Sequence, residues 1–442
     1  MIDRPLDLVV RARSAVLPGG VRPADVGVRD GRVAVVAGIG TADAAETVDL
    51  ADDEVLMPGL VDTHVHVNEP GRTDWEGFAS ATRAAAAGGV TTIVDMPLNS
   101  IPPTVDVAAL EAKRSAALSA GLHVDVGFWG GLVPGNLPQL APLHAAGVMG
   151  VKCFLLPSGV EEFPPVSAAQ LRAGLDVLAG LGALTLVHAE DGSVVRAAPS
   201  GPRYADFLAS RPPAAEVAAV RTLVDAAERS GARVHVVHVS SADVLELISD
   251  ARLRGVGITA ETCPHYLTLS SAEVPDGATA YKCCPPIRDA DNRDRLWAGL
   301  LHGVLDVVVS DHSPSPPGVK ELGSGDFGAA WGGISSLQLG LALVWTEARR
   351  RGIGLDRVVR WMSEGPADLV GLGRKGRIAV GADADLVRFA PEETFTVDPA
   401  ALHHRHPLTP YAGRTLSGVV RGTWLRGEDA PGDLPRGALL RR

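Results

Sequence analysis

The sequence has no run of lysine or arginine long enough to follow a phosphate backbone and no apolar stretch of transmembrane length. Its 442 residues include 52 acidic and 41 basic side chains, for a formal net charge of −11 at pH 7. Because nucleic-acid binding proteins concentrate positive charge in patches, we expect no nucleic-acid partner. The opening segment, MIDRPLDLVVRARSAVL, mixes acids and arginines into its apolar residues, whereas a signal peptide has an uninterrupted apolar segment. We therefore expect a cytoplasmic protein that does not interact with membranes.

Cysteine is also scarce. The four cysteines are Cys153, Cys263, Cys283 and Cys284, and they lack the pair spacing that is typical of zinc-binding motifs. Cys283 and Cys284 are adjacent, which is a poor basis for a disulfide framework. We expect four reduced thiols, most of them buried.

The two ends of the chain share one pattern, in which short β-rich segments are separated by Gly, Pro and Asp turns. This pattern covers about the first 50 residues and resumes near residue 375 in KGRIAVGADADLVRFAPEETFTV. It predicts a small β-sandwich-like accessory domain assembled from residues 1–54 and 373–442. Residues 55–372 would then form a separate catalytic domain.

The central segment alternates strand-like and helical stretches, a pattern typical of a parallel sheet. The helical stretches include 75–87, 167–181, 213–230 and 291–302. Eight strand–helix units predict an α/β fold, specifically a (β/α)8 TIM barrel, whose active site lies at the C-terminal ends of the strands. The predicted strands are 60–66, 90–96, 122–129, 149–155, 183–188, 233–238, 256–261 and 305–311.

Histidines and an aspartate recur at the ends of these predicted strands. His64 and His66 end the first strand and lie on the same side of it, because strand side chains alternate with a period of two. Imidazole and carboxylate groups are ligands of zinc and similar divalent ions, so the pattern predicts a metal site. His235, His265 and His312 lack this placement or matching companions, and we assign them no role. The candidate ligands are His64, His66, Lys152, His188, His238 and Asp311.

Lys152 is the only charged residue in the apolar stretch GVMGVKCFLLP. Lysine is almost never fully buried unless it is paired. Burial and a nearby metal both lower a lysine pKa, and a neutral lysine can react with carbon dioxide to form an anionic carbamate. Four neutral histidines and one aspartate supply a single negative charge. A carbamate on Lys152 would add a second anion, so the charge balance favours modification of this residue.

The segments around these residues are long and specific. They read GLVDTHVHVNEPGRTDWEGF, GGVTTIVDMPLNSIPPT, GVKCFL, LVHAED, VHVVHVSS, ETCPHYL, CCPPIRD, VVSDHSP and KGRIAVGADADLV. Together they resemble the cyclic amidohydrolases of the amidohydrolase superfamily, a group that includes dihydroorotases, hydantoinases and allantoinases. The resemblance implies that the six candidate ligands hold two divalent ions bridged by carboxylated Lys152. Zinc is the first choice, and cobalt, manganese, nickel and iron tolerate the same ligands. It also implies a homo-oligomer, with a tetramer expected.

Within this group the sequence is most similar to allantoinases. Dihydroorotases usually have an arginine where this chain has Asn68, and hydantoinases have an aromatic hydroxyl shortly after the bridging lysine, where this chain has Leu155–Ser158. The resemblance implies that the hydantoin ring of allantoin is opened to allantoate, with Asp311 transferring the proton. Hydantoinase or dihydropyrimidinase activity, dihydroorotase activity and a non-catalytic scaffold role remain alternatives.

Three further residues are candidates for substrate binding. Asn68 suits a neutral ring. Asn99 is placed to hydrogen-bond the ring, although it could equally be a turn residue before two prolines. Cys284 would contribute backbone groups rather than a nucleophile, and the backbone near Trp331 and Gly332 would close over the ligand.

Overall fold

The computed structural model describes residues 5–430, 432 and 434–442. Residues 1–4, 431 and 433, which the sequence assigns to the accessory domain, lie outside the described residues. The strands are β1 (Leu6–Leu17), β2 (Gly20–Arg29), β3 (Arg32–Ala37), β4 (Ala44–Asp49), β5 (Val55–Pro58), β6 (Leu60–Val65), β7 (Val90–Asp95), β8 (Asp125–Phe128), β9 (Gly130–Gly131), β10 (Val151–Phe154), β11 (Leu184–His188), β12 (Arg233–Val236), β13 (Ile258–Thr262), β14 (Val307–Val308), β15 (Leu386–Thr396), β16 (Thr415–Leu425) and β17 (Glu428–Asp429).

The helices fill the intervals between the central strands and continue after the last of them. None of those in the described part of the chain is both long and apolar enough to cross a membrane. They are α1 (Phe78–Ala87), α2 (Val107–Ala120), α3 (Leu137–Ala145), α4 (Ala168–Gly180), α5 (Tyr204–Ser210), α6 (Pro213–Ser230), α7 (Leu245–Leu253), α8 (Pro264–Thr268), α9 (Ala290–Leu301), α10 (Gly340–Arg350), α11 (Leu355–Val359) and α12 (Gly365–Leu369).

Strands β6 to β14 form the predicted barrel. Parallel pairing connects β6, β7 and β8, and separately connects β9 through β14. The ring closes at two places. At the end of β8, the N–H of Met149, which precedes β10, donates to the carbonyl of Phe128 at 2.9 Å. On the other side, Val65 pairs in parallel with His312. With β8 and β9 counted as one interrupted strand, the eight predicted barrel strands are confirmed.

Strand and helix limits differ from prediction in a few places. The third strand consists of two segments, β8 and β9, on either side of Trp129, whose N–H donates to the carbonyl of Asp95 on β7. The eighth strand is only Val307–Val308, although 305–311 was predicted. Helix α1 begins at Phe78, not 75, because Gly77 has a φ of 99°, which is incompatible with a helix.

The accessory sheet combines both ends of the chain. Strands β1 to β5 and β15 to β17 form one hydrogen-bonded sheet, in which β1 is central. The first half of β1 pairs with β4, and after a bulge between Ala12 and Ala15 the strand pairs with Leu56 of β5. The bulge therefore lets one strand serve both halves of a sandwich-like domain around its own hydrophobic cluster. Because β5 belongs to this sheet, we propose that the N-terminal part of the domain extends to about residue 58.

A buried charge cluster joins the barrel to the accessory domain. Lys375 Nζ lies 2.6 Å from Asp125, 2.7 Å from Asp385 and 3.0 Å from Asp383. Asp125 begins barrel strand β8, and Asp385 directly precedes β15. Burial alone would lower the pKa of Lys375, but the aspartates outweigh it and raise this pKa. The lysine therefore remains charged and ties the two domains together.

Replacing Lys375 by methionine should lower the free energy of unfolding by about 3–5 kcal/mol, because the substitution removes the ion-pair partner of buried Asp385. Chemical denaturation followed by circular dichroism measures this change. The matched control is Arg13→Met, which removes an ion pair to Asp52 whose two side chains are 72% and 78% exposed; this change should cost at most about 1 kcal/mol. Equal losses in the two variants would contradict the role of the cluster.

Candidate metal centre

The six predicted ligands lie together at the C-terminal ends of the barrel strands, and all of them are buried. The Nε2 atom of His64 lies 3.1 Å from Lys152 Nζ and 3.1 Å from Asp311 Oδ1. The Nε2 atom of His66 lies 3.5 Å from the same Asp311 oxygen. The first, fourth and last barrel strands therefore direct their functional groups at one point.

The other two histidines complete this group. The ring centre of His238 lies 5.4 Å from that of His64 and 4.5 Å from that of His188. Phe154 stacks on His188 with ring centres 4.7 Å apart, and Lys152 Nζ lies 5.1 Å from the centre of the Phe154 ring. The apolar ring thus forms one side of the site and excludes water from the lysine.

Several site residues have a left-handed backbone. In the described part of the chain, seven non-glycine residues have a positive φ, and four of these are candidate site residues: Asn68, Asn99, His238 and Asp311. This conformation is unfavourable for residues with a Cβ atom and persists only when surrounding contacts enforce it. Asn68, Asn99, His238 and Asp311 all follow the ends of barrel strands, where the chain turns sharply at the mouth.

Two buried glutamates orient the histidines, and the sequence analysis did not single them out. Glu261 accepts from His64 Nδ1 at 2.5 Å and from the backbone N–H of His238 at 3.1 Å. Glu190 Oε2 lies 2.8 Å from His188 Nε2. A carboxylate on one ring nitrogen fixes the tautomer and leaves the other nitrogen free to bind a metal. The sequence offered one indication of their role, because both glutamates lie in segments that resemble the cyclic amidohydrolases, ETCPHYL and LVHAED.

The protonation states suit a metal site. Burial lowers the pKa of His66 to about 4 and that of His238 well below its ordinary value, so both rings are neutral. Burial also lowers the pKa of Lys152 to about 8, against the opposing effect of Asp311. Burial alone would raise the pKa of Asp311, but His64 and the neighbouring histidines hold it well below its usual range. Metal ligands must be neutral imidazoles and ionised carboxylates, which is the state of His66, His238 and Asp311.

The donor set fits a divalent ion. One ligand atom each from His64, His238 and Asp311 lies within 4.8 Å of the other two. The buried Nδ1 atom of His238 has no hydrogen-bond partner. A second group with the same spacing combines Asp311 with Cys263 and His265. Burial raises the pKa of Cys263 well above its usual value, and a neutral thiol is a poor ligand, so the first group is the better candidate.

A small cavity of about 70 Å³ lies over these groups. We call it the inner cavity, and it opens into an outer cavity of about 310 Å³, since both are lined by Phe154, Ser158 and His188. Five of the predicted ligands line the inner cavity; His64 lies behind them. Its other lining residues are Leu98, Asn99, Phe154, Ser158, Cys283, Cys284, Ser313, Trp331, Gly332 and Gly333.

Two of the three predicted substrate-binding residues line the inner cavity, and the third does not. Asn99 and Cys284 line the inner cavity, as do Trp331 and Gly332. Asn99 Nδ2 lies 3.4 Å from His66 Nδ1, and its Oδ1 atom has no partner and can accept a hydrogen bond. Asn68 lines neither cavity, because its Nδ2 donates to the carbonyl of Pro314 at 3.3 Å.

Comparison with known proteins agrees with this geometry. The model of the amidohydrolase family matches residues 55–429. The chain belongs to the amidohydrolase family. A protein named allantoinase from Streptomyces avermitilis is 56% identical over 444 residues, which cover 99% of each chain. The allantoinase of Arabidopsis thaliana is 47% identical over 85% of this chain and 77% of its own length.

Solved structures of the same family share the whole fold. An L-hydantoinase (dihydropyrimidinase) from Arthrobacter aurescens has a TM-score of 0.92 at 32% identity, and the match covers 99% of this chain and 100% of that one. A dihydropyrimidinase from Brevibacillus agri has a TM-score of 0.88 at 30% identity, covering 98% of each chain. The barrel with its accessory β domain is thus the family fold.

Glu261→Gln should weaken metal binding about 10- to 100-fold, because the neutral amide removes the negative charge that makes the His64 ring a stronger ligand. Competition with a chromogenic chelator measures the affinity. Glu54→Gln is the matched control, since Glu54 is equally buried but bonds to Arg388 in the accessory domain. Unchanged metal affinity in Glu261→Gln would show that the glutamate does not orient the ligands.

Proposed function

We propose that this amidohydrolase opens the hydantoin ring of allantoin to give allantoate. The observation that carries the proposal is the full-length similarity to proteins named allantoinase. The inner cavity supports it, because it places ionisable groups of a hydrolytic site beside a small polar pocket. The reaction is the hydrolysis of one ring amide bond by water.

In this proposal, two divalent ions would be held by His64, His66, His188, His238 and Asp311 together with carboxylated Lys152. Bound divalent ions would lower the pKa of water and polarise the substrate carbonyl. The surroundings of Lys152 favour its carboxylation, because the side chain is buried and has no carboxylate within ion-pair distance in the described part of the chain. Zinc remains the first choice of metal, with cobalt, manganese, nickel and iron as alternatives.

Asp311 is the proposed catalytic residue. Its carboxylate lines the inner cavity and lies within 3.5 Å of two histidines, whose effect on its pKa keeps it ionised. An ionised carboxylate at this position can take the proton from the attacking water and deliver it to the departing ring nitrogen. Asn99 would accept a hydrogen bond from a ring N–H through its unpartnered Oδ1 atom and orient the ring.

The lining of the inner cavity bears on the choice among cyclic amides. Within the described residues, it contains neither a tyrosine nor an arginine. Hydantoinases place an aromatic hydroxyl near the carbonyl, and dihydroorotases grip a substrate carboxylate with arginine. The cavity lacks both features and suits a neutral ring. Hydantoinase activity is the second candidate, because the L-hydantoinase from Arthrobacter aurescens shares the whole fold.

Two further proposals rest on the sequence alone. The protein would act as a homotetramer, and it would do so in the cytoplasm. Size-exclusion chromatography with light scattering tests the first proposal. The second is tested by fractionation of the source cells.

Protein produced with added bicarbonate and loaded with zinc should hydrolyse allantoin at least about 100-fold faster, in kcat/KM, than hydantoin, dihydrouracil or dihydroorotate. Allantoin is a hydantoin ring that carries a polar ureido arm, and a site that hydrogen-bonds such a group rejects substrates that lack it. Parallel steady-state assays of all four compounds give this comparison, with metal-stripped protein as the control. A preference for hydantoin would favour the second candidate. No turnover of any of the four with metal bound would support a scaffold role.

Asp311→Asn should retain metal but lose about 10²- to 10⁴-fold in kcat, the usual contribution of a general acid–base. Metal analysis and allantoin turnover, measured on the same sample, separate the two effects. Asp25→Asn provides the control, because Asp25 is also buried but pairs with Arg11 in the accessory domain. Turnover of the Asp311 variant at the wild-type rate would rule out the proton-transfer role.

A further inference from the structure

Lysine is used in an unusual way in this protein. Only five of the 41 basic residues are lysines, and all five are buried. Lys113 pairs with Asp95, and Lys375 pairs with three aspartates. Lys152 belongs to the candidate metal centre. The remaining two, Lys282 and Lys320, have no carboxylate within ion-pair distance among the described residues.

Lys320 is satisfied by backbone carbonyls instead. Its Nζ atom donates to the carbonyls of Lys282 at 2.8 Å, Trp331 at 2.9 Å and Gly333 at 2.5 Å. Burial lowers the pKa of Lys320 to about 7, but the three carbonyls around Nζ favour the ammonium form, because a neutral amine has only two N–H donors and an ammonium group has three. We call Lys320 and these three carbonyls the lysine clamp. Burying a charge without a counter-charge costs free energy. We therefore infer that the clamp holds the three carbonyls in positions that uncharged hydrogen bonds would not maintain.

The carbonyls of the clamp belong to two segments of the cavity wall. Residues 282–284 include Cys283 and Cys284, and residues 331–333 include Trp331 and Gly332; these four residues line the inner cavity. The segments also contact each other directly, because the N–H of Gly333 donates to the carbonyl of Lys282 at 2.8 Å. Lys320 therefore fixes the spacing between two parts of the cavity wall that are about 50 residues apart in sequence.

The two segments pack tightly against each other. A Cβ atom added to Gly332 would lie 3.0 Å from the sulfur of Cys284. Lys282 strengthens the arrangement, because its own Nζ donates to the carbonyls of Gly328 at 3.3 Å and Ala330 at 2.5 Å. Both lysines thus hold the stretch 328–333 against the segment that carries Cys284.

The clamp also changes the peptide groups that it holds. A carbonyl that accepts a charge-assisted hydrogen bond makes the N–H of the same peptide a stronger donor. The carbonyl of Trp331 shares its peptide with the N–H of Gly332. In the part of the chain that the structure describes, this N–H has no backbone acceptor. It is therefore a polarised donor on a residue of the inner cavity.

We propose that Lys320 is a positioning residue that holds segments 282–284 and 331–333 in register, so that their backbone groups bind the polar atoms of a cyclic amide substrate. The substrate class rests on the function proposed above. The position of the two segments does not, because it follows from the contacts of Lys320.

The decisive variant is Lys320→Met, which removes all three donors at similar volume. It should raise KM for allantoin about tenfold, the effect of losing one hydrogen bond to the substrate, with kcat changed less. Zinc content should stay at the wild-type level, since the clamp does not contact the six candidate ligands. Hydrogen–deuterium exchange of peptides covering 281–285 and 328–334 should accelerate about tenfold without substrate, as expected for local opening.

Lys375→Met is the matched control, because it removes a buried lysine that does not contact the cavity. It should lower stability while KM and the exchange of these two peptides stay unchanged. If Lys320→Met does not fold, Lys320→Gln, which keeps two N–H donors, should give a smaller rise in KM and in exchange. Wild-type KM and wild-type exchange in the folded variant would overturn the proposal.

The two proposals fail in distinguishable ways. If allantoin is not the substrate, the wild-type protein itself shows no turnover, yet exchange in the two segments still accelerates on loss of Lys320. If the clamp has no positioning role, allantoin turnover persists and exchange in the two segments matches that of the control. A loss of stability in Lys320→Met with neither change would show a purely structural role.

Discussion

The contact between the first and last barrel strands is the constraint on which the site depends. The N–H of His66 donates to the carbonyl of His312 at 2.8 Å, and Asp62 accepts from the N–H of Ser310. These bonds flank Asp311 on both sides. With its φ of 44°, Asp311 turns its carboxylate between His64 and His66. Because the two strands are about 250 residues apart in sequence, the only carboxylate among the six candidate ligands reaches the histidines through barrel closure.

At the barrel mouth, neutral histidines face the cavity and an ionised glutamate lies behind them. The histidines that face the cavity are neutral because burial lowers their pKa values. Behind them, Glu261 stays ionised: burial would raise its pKa, but His64 and His235 lower it to about 2. A negative charge behind a neutral ring makes the opposite ring nitrogen a better electron donor. The protein thus directs electron density toward the centre without placing another carboxylate in the cavity.

The parts of this structure that follow from short sequence patterns could be predicted. His64, His66 and His188 were found because barrel strands end at the active site and side chains alternate along a strand. Glu261 was missed because a glutamate within a strand shows no local sign of its partner, and His64 is 197 residues away. Asn68 was selected because dihydroorotases usually have an arginine at this position, and the local sequence does not indicate its φ of 67° or its hydrogen bond to the carbonyl of Pro314. Lys320 lies in an irregular loop, where a lysine would ordinarily be exposed.

The cavities also explain which kind of substrate the site can hold. Three cations line the outer cavity. Arg211 donates to Glu190 and Lys282 to two backbone carbonyls, whereas Arg196 is exposed to solvent. An anionic ring would have to compete with existing partners for the first two cations. A neutral ring needs only donors and acceptors, and the inner cavity offers them through Asn99 and the backbone of Gly332. Backbone groups cannot rotate to follow a substrate as side chains can, so a small displacement of the cavity wall weakens binding. The proposed positioning of the wall by Lys320 therefore contributes to recognition together with the residues that face the substrate.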